Sequence, residues 1–425
     1  MAAAAVPEPL FDRLACWLAI AAAGLVPLLI TPSAYDPYRL PKALLVRVIG
    51  IAIVAVVAMR IVSIGLPRLD WRREAVLHFT ALALAWTAIC SLFSRNRLIS
   101  AWSSIDVVSY AAIVFAIYAF GRRRWRVVVQ VMLAVGVLNA LSCILARFGD
   151  GGFAFAVIQG RSVGLLGSAN DAGAYFAIVI VVAAAMALSD RKRRWIYAAI
   201  AALLVAGLAT TQTIGAIAAT VAAGIAMTFL ISRRRAAVVL SILLLGSLAL
   251  VIVYAPLRGR VTTMLTVARG GDIDAIFPGR ATAFLSAIDM VKDRPLTGVG
   301  PGCFGFEYFP YKLRVELKHP SLMMSGSRTI NFGETHNDHL QTMAQTGVPG
   351  YLLMLAILVW LARISMRAAD AELPARFSRF AALPLVVCFA VVTLPEFVLE
   401  LAAPTTSALV AAALCCLFRG DHADS

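Results

Sequence analysis

Charge is scarce in this chain: Asp, Glu, Lys and Arg together make up 14% of the residues, against 61% apolar ones. So little charge cannot coat the surface of a water-soluble domain of this size. Cysteine is present but unpaired by pattern. Cys16, Cys90, Cys143, Cys388, Cys415 and Cys416 lie in or beside apolar stretches, leaving Cys303 alone in a long loop, and no CxxC or Cys/His metal spacing occurs. That excludes a disulfide framework and a structural zinc site. No periodic repeat, low-complexity tail or GK[ST] phosphate loop appears either. The formal net charge of +15 does not imply nucleic acid, because the basic residues are parcelled into short turns and form no basic face interleaved with aromatics.

What the chain has instead is apolar runs. Stretches near Leu14–Ile30, Ala43–Gly65, Ala75–Phe93, Val107–Phe120, Val127–Ala146, Gly173–Leu188, Ile196–Ala209, Gly215–Ile231, Ala237–Ala255, Val348–Leu361, Phe380–Phe397 and Thr405–Phe418 are bounded by Arg-rich or Pro/Gly turns. Lipid cannot satisfy backbone polar groups, and the runs lack the period-two alternation of a barrel, so each reads as a helix. The expectation is an all-α polytopic membrane protein with about twelve transmembrane helices. The first run follows Arg13 and carries the Ala21–Ala23 triplet of a cleavable signal, but cleavage would invert the parity of the later spans, and it reads as a retained helix.

Orientation follows from Lys and Arg. The turns PRLDWRRE, GRRRWR, SDRKRR and SRRR, with the segment Arg363 to Arg379, carry most of the short-loop positive charge and fall at every second connection. The positive-inside rule puts them, with both termini, in the cytoplasm. The chain then divides into a transmembrane bundle at 1–255, a large outer loop at 256–347 and terminal transmembrane helices with a short cytoplasmic tail at 348–425.

The outer loop carries its own helical signals. After PGR at Pro278–Arg280, Phe284, Ala287, Ile288 and Val291 recur at helical spacing, with Asp289, Lys292 and Asp293 on another side, which predicts an amphipathic helix on the membrane surface. PLTGVGPG, Pro295 to Gly302, breaks it with a tight turn or close backbone approach.

GETHNDHLQTMAQTGVPGY, Gly333 to Tyr351, then sets a polar cluster against the next apolar run. Thr335 and Asp338 fit a capping box, which predicts His336, Asn337 and Asp338 in the first turn of a short helix ending around Gly347. At a helix N-terminus an imidazole is kept neutral and able to take a proton, and free N–H groups favour an anion. A base beside an anion site suits transfer from a phosphate-linked donor. Two other readings stay open: His336 as a local cap, and His336 with His339 as an HxxH metal pair lacking an evident third ligand. Arg161, Asn170 and Asp171 in GRSVGLLGSANDAGAY lie on the same outer side, as does Arg280, and two arginines near His336 would suit a diphosphate.

GRSVGLLGSANDAGAY, the loop motif AIDMVKDRPLTGVGPGCF and THNDHLQTMAQTGVPGY together resemble the O-antigen ligase/polymerase superfamily of bacterial envelope glycan assembly. The resemblance implies a GT-C-like helical bundle in the inner membrane with a large periplasmic loop. It implies transfer of a glycan from an undecaprenyl-type polyprenyl-diphosphate donor to a lipid or glycan acceptor hydroxyl, such as lipid A-core of lipopolysaccharide, or alternatively polymerisation of repeat units. No nucleotide sugar, cofactor or obligatory metal is implied, and the partners are the donor, the acceptor and membrane lipids, with no nucleic acid. Position by position, His336 matches the family's proposed base, Arg280 its loop arginine and Arg161 the arginine ahead of its N-x-N-like stretch, with Asn170, Asn337 and Asp338 as further substrate-side residues. One departure stands out: in TTQTIGA, Ile214 occupies the position where the family often has Arg. A secondary transporter is the reading from another class. It would rest on Glu396 and Glu400, an i,i+4 pair sharing a helix face near the outer end of a span, where solvation explains them as well.

Overall fold

The computed structural model describes residues 8–67, 69, 74–148, 157–158, 160–269, 280–323, 331–367 and 372–417. Pro278 and Gly279 of the PGR motif, most of the PRLDWRRE turn and part of the 363–379 segment lie outside the described residues.

Fifteen helices of eight residues or more follow one another among the described residues: α1 Leu10–Leu25, α2 Arg39–Ile64, α3 Ala75–Leu92, α4 Arg97–Phe120, α5 Trp125–Phe148, α6 Ala169–Ser189, α7 Arg194–Thr211, α8 Ile214–Thr228, α9 Arg233–Val253, α10 Ala255–Arg269, α11 Ala281–Asp293, α12 Phe304–Lys318, α13 Asp338–Arg367, α14 Leu373–Val392 and α15 Ala402–Cys416. Between α5 and α6 a two-stranded hairpin pairs Ile158 with Arg161. A helix runs through every one of the twelve apolar stretches. The first and eleventh stop early, α1 at Leu25 ahead of Pro27 and α14 at Val392 ahead of Pro395, as expected where proline removes the next backbone donor. Among the described residues eight helices are long and apolar enough to cross a membrane, and α8 and α15 are shorter apolar helices. The chain is an all-α integral membrane protein.

α6 is the central post, with 83% of its apolar window buried, and it packs against α7, α8, α14 and α15. Peripheral helices differ: α2 leaves Leu44, Val48, Ile51, Val54 and Val62 exposed, an apolar surface suited to lipid. Two arginines tie helix ends together near the start of α1. There Arg124 forms a forked pair with Glu8 at 2.7 Å through both nitrogens, and Arg60, near the end of α2, pairs with Asp12 at the start of α1. Arg39, at the other end of α2, belongs to the opposite end of the molecule.

At that opposite end the loop elements build a second, separate apolar cluster: Ala283, Ala287 and Met290 of α11, Phe304, Tyr308 and Tyr311 of α12, and Ala344 of α13, with Val299 and Cys303 between them. The predicted amphipathic helix exists as α11, but its face is rotated. Ala283, Ser286, Ala287 and Met290 are buried against protein while Ile288 is exposed, and Asp289 is buried with Lys318 at 2.9 Å and Lys292 at 3.1 Å. Small residues allow α12 to approach closely, which decides the buried side over the larger Phe284 and Ile288.

The glycine turn explains how α13 is broken. Gly347 has φ 72 and separates a short outer helix from the long apolar one. A kink leaves carbonyls of the first half without helical partners. The PLTGVGPG turn supplies them: Val299 N donates to Ala344 O at 2.8 Å, Gly300 N to Gln345 O at 3.1 Å, and Val348 N returns to Pro295 O at 2.8 Å. Such approach requires bare backbone, since a Cβ on Gly347 would overlap the Leu296 carbonyl. Gly347→Ala combines that overlap with a left-handed φ. It should lower stability by about 1–3 kcal/mol, read as a fall in thermal unfolding temperature in detergent, with a control at the unobstructed Gly246 unaffected.

Candidate active site

The turn Pro395–Phe397, between α14 and α15, is where the separate motifs meet. Arg280, the residue before α11, donates through Nη1 to Pro395 O at 2.7 Å. Glu396 is 4% exposed, hydrogen-bonded by Asn170 and within electrostatic reach of Arg280, Arg161 and Asp171. Phe397 meets the His336 ring edge-on with centroids 4.6 Å apart, and the Arg39 guanidinium lies 5.0 Å over the same phenyl ring. One short turn therefore brings Arg280 and Arg161 to the buried Glu396 carboxylate and His336 and Arg39 to the adjacent Phe397 ring.

Each side chain is held from its own element. Arg161 leaves the β-hairpin and spends its fork on the α7–α8 corner, to Thr211 O at 2.9 Å and Thr213 Oγ1 at 2.9 Å, and on Asn170 Oδ1 at 2.7 Å. That corner is tight: Gln212 adopts φ 52 and its amide reaches Gly160 O at 3.0 Å. Ile214 starts α8 beside it, so the guanidinium serving this corner comes from Arg161. Ser168 caps α6, which fixes Asn170 and Asp171 in its first turn. Asp171 then receives Arg39 at 3.3 and 3.4 Å.

The expected capping box is replaced by a different local structure. The helix begins at Asp338, and Asn337 is its cap, its Oδ1 accepting from Leu340 N at 2.9 Å. Thr335 Oγ1 accepts from Asn337 N at 3.1 Å, while the Asp338 carboxylate turns away to take Leu399 N at 3.0 Å. His336 is thus one residue before the cap, with φ 57 in the left-handed region where non-glycine residues are strained. Its ring packs edge-on between Phe332 (5.4 Å) and Phe397, and Nδ1 is buried with no hydrogen-bond partner. Burial first, then the charges of Arg280 and Arg39, pull its pKa down to about 3, so the imidazole is neutral at physiological pH. His339 does not join it. That ring lies within 3.2 Å of Ala390 O and 3.1 Å of Thr393 Oγ1 through Nε2, with Tyr351 OH 3.3 Å from Nδ1, so the HxxH pair is split between two environments.

Two groups escaped the sequence reading. Arg39 carries a signal of its own, a basic residue at the end of α2 opposite Arg60, which runs against the expected positive-inside pattern. Glu396 was read as a solvated helix-face partner of Glu400. Residues 393–397 are not helical, Glu396 is buried with Oε2 unpartnered, and Glu400 sits in a separate 3-10 turn with Gln341 Nε2 2.6 Å from its carboxylate.

Desolvation raises Glu396 to about 7 despite the neighbouring arginines. From the ordinary value of 4.5 up to about 7, the folded protein keeps a proton that the unfolded chain has lost, so this group makes stability fall as pH rises through that window. His336 acts oppositely: the unfolded chain binds its proton between about 3 and 6.5, so stability rises with pH there. Glu396→Gln should remove the first trend and expose the second. Unfolding temperatures across pH 4.5 to 7 should rise more steeply in the variant than in wild type.

A family model described as O-antigen ligase matches residues 199–355. Over that region the chain is similar to the O-antigen ligase/polymerase superfamily. The matched region runs from α7 into α13 and contains Arg280, His336, Asn337 and Asp338. Arg39, Arg161, Asn170 and Glu396 lie outside it and reach the same place through the fold. No curated protein matches the sequence.

Proposed function

We propose that this protein transfers a glycan from a polyprenyl diphosphate to an acceptor hydroxyl at the periplasmic face of the bacterial inner membrane, acting as an O-antigen ligase. The observation that carries the reading is the gathering of Arg161, Arg280, Arg39 and His336 around the Pro395–Phe397 turn. Forked guanidinium groups suit phosphate oxygens, and a neutral imidazole beside them suits a hydroxyl proton. Twelve spans of a GT-C-like bundle, α1 to α9, the long half of α13, α14 and α15, put the Arg-rich turns in the cytoplasm and this cluster outside. Residues 1–255, 256–347 and 348–425 then serve as bundle, periplasmic loop and terminal spans.

In the proposed reaction Arg280 and Arg39 hold the diphosphate, and Arg161 adds its positive charge from its place on the α7–α8 corner beside Ile214. The acceptor oxygen attacks the anomeric carbon, the bond from that carbon to the diphosphate oxygen breaks, and configuration inverts. His336 takes the hydroxyl proton and polyprenyl diphosphate leaves with its electron pair. Fixed guanidinium charge offsets the charge developing on the leaving group without a divalent metal. A base with a pKa of about 3 is a poor one, and donor binding moves it in the right direction: the phosphates offset Arg280 and Arg39, whose charges add to the larger effect of burial in holding His336 down. Asn337, as cap, and Asp338, tied to Leu399, orient the His336 turn, and Asn170 steers Arg161 and Glu396.

The same donor chemistry with a growing glycan as acceptor would make a polymerase. Proteoliposomes supplied with native donor and both acceptor types separate the two. A single transferred glycan on a lipid acceptor is the expected product, and a ladder of repeat-unit lengths without lipid acceptor would overturn ligation in favour of polymerisation.

A further inference from the structure

A cavity of about 490 Å³ lies between α3, α4, α13, α14 and α15, within the roughly 300–1,000 Å³ typical of ligand sites. It follows α13 from Gln341 to Leu361, about 30 Å of helix. Its walls are apolar over most of that length, with Phe79, Leu353, Ile357, Leu358 and Phe389 among them. Glu400, Asp338, Gln341 and Gln345 form a polar group at its loop-side end, while the rest of the wall carries Asp106 and scattered hydroxyls such as Thr80 and Tyr110. Among the described residues no Lys or Arg lines it, in contrast to the arginines gathered at the Pro395–Phe397 turn. Asp338 is occupied by Leu399 N, and Asp106, lower in the wall, is neutralised by Arg47 at 2.6 and 2.9 Å. Glu400 is different: it is exposed to the cavity, and its Oε1 accepts from Gln341 at 2.6 Å.

We propose that this slot seats the acceptor, an amphiphile with an aliphatic chain and an uncharged, hydroxyl-rich head; its role as acceptor rests on the glycosyl-transfer reading. An aliphatic chain matches the long apolar wall. Carboxyl and amide groups accept and donate hydrogen bonds with sugar hydroxyls, whereas a phosphate head would find no Lys or Arg among the described lining residues to hold its charge. The polar end is also built into the catalytic turn. Gln341 Nε2 holds Glu400, while its Oε1 accepts from Thr335 N at 2.8 Å and lies 3.2 Å from Thr335 Oγ1. Thr335 immediately precedes His336. A head bound at Glu400 is therefore one amide away from the turn that carries the base, while the donor's phosphates lie with the arginines on the other side of that turn.

The test is native mass spectrometry of the full-length protein with monoglucosyl diacylglycerol and with phosphatidylglycerol of the same acyl length. Wild type should retain the neutral glycolipid about tenfold better. Glu400→Lys should erase or invert that preference, and Leu358→Trp should lose the glycolipid by filling the slot, with Leu358→Phe as a milder variant that preserves folding. Equal retention of phosphatidylglycerol by wild type, or a preference unchanged by folded slot and Glu400 variants, overturns the proposal. Displacement of the glycolipid by polyprenyl monophosphate would also overturn it, by assigning the slot to the donor's tail. Because binding is read without turnover, a failed transfer assay beside intact glycolipid selectivity would reject the catalytic reading and leave this site standing.

Discussion

Replacing His336 with Asn should reduce transfer by about 10²- to 10⁴-fold, the usual contribution of a positioned general base, while the protein stays folded with a modestly lower unfolding temperature. Asn is the informative substitution because it tolerates the left-handed backbone at this position, φ 57, better than Ala does. The ring's packing against Phe332 and Phe397 is lost in either case. What Asn cannot do is accept the proton. The defect should therefore lie in kcat with donor binding retained, measured by initial rates at saturating donor. A pH profile sharpens the distinction. In wild type, kcat/KM reports the free enzyme, where His336 is neutral down to about pH 3, so no acid limb from this group should appear above that value. In kcat the donor's phosphates have offset Arg280 and Arg39, and an acid limb should move up toward neutrality.

Arg280→Ala should have the second large effect, a loss of about 10²- to 10³-fold in kcat/KM, as expected when a fixed positive group at a developing oxyanion is removed. Arg280 also pins the Pro395 carbonyl and stands beside Glu396, so the variant should lose some thermal stability as well. Arg280→Lys separates the two contributions. It keeps the charge but not the planar fork, and should recover part of the activity without matching wild type. Removing this cation also relieves His336, whose pKa should rise in Arg280→Ala; a shifted imidazole titration by NMR reads that directly.

Much of this protein was legible before any coordinates because lipid imposes simple rules on sequence. Apolar length and Arg-rich turns located the helices, and the glycines of PLTGVGPG announced a close backbone approach that turned out to clamp the kink at Gly347. Local signals were less faithful. Thr335 and Asp338 have the spacing of a capping box, yet Asn337 takes the cap because the Asp338 carboxylate is claimed by Leu399, more than sixty residues on. Helical periodicity around Phe284 and Ile288 gave the right helix and the wrong buried face, since α12 fits against the smaller Ala283 and Ala287. The site itself was half readable. Arg161, Arg280 and His336 stand in distinctive motifs, but Glu396 and Arg39 do not, and only the packing of the α14–α15 turn against α2, α6 and α11 makes them neighbours. Long-range juxtaposition of single polar residues leaves no periodic trace in a sequence.

The most direct test of the central claim is acceptor-dependent release of polyprenyl diphosphate from purified protein in proteoliposomes with the native lipid-linked glycan. Release from wild type that matches glycan transferred, and that falls to background in His336→Asn, is the predicted result. Folded wild type that binds donor but releases nothing in the presence of native acceptors would contradict the account.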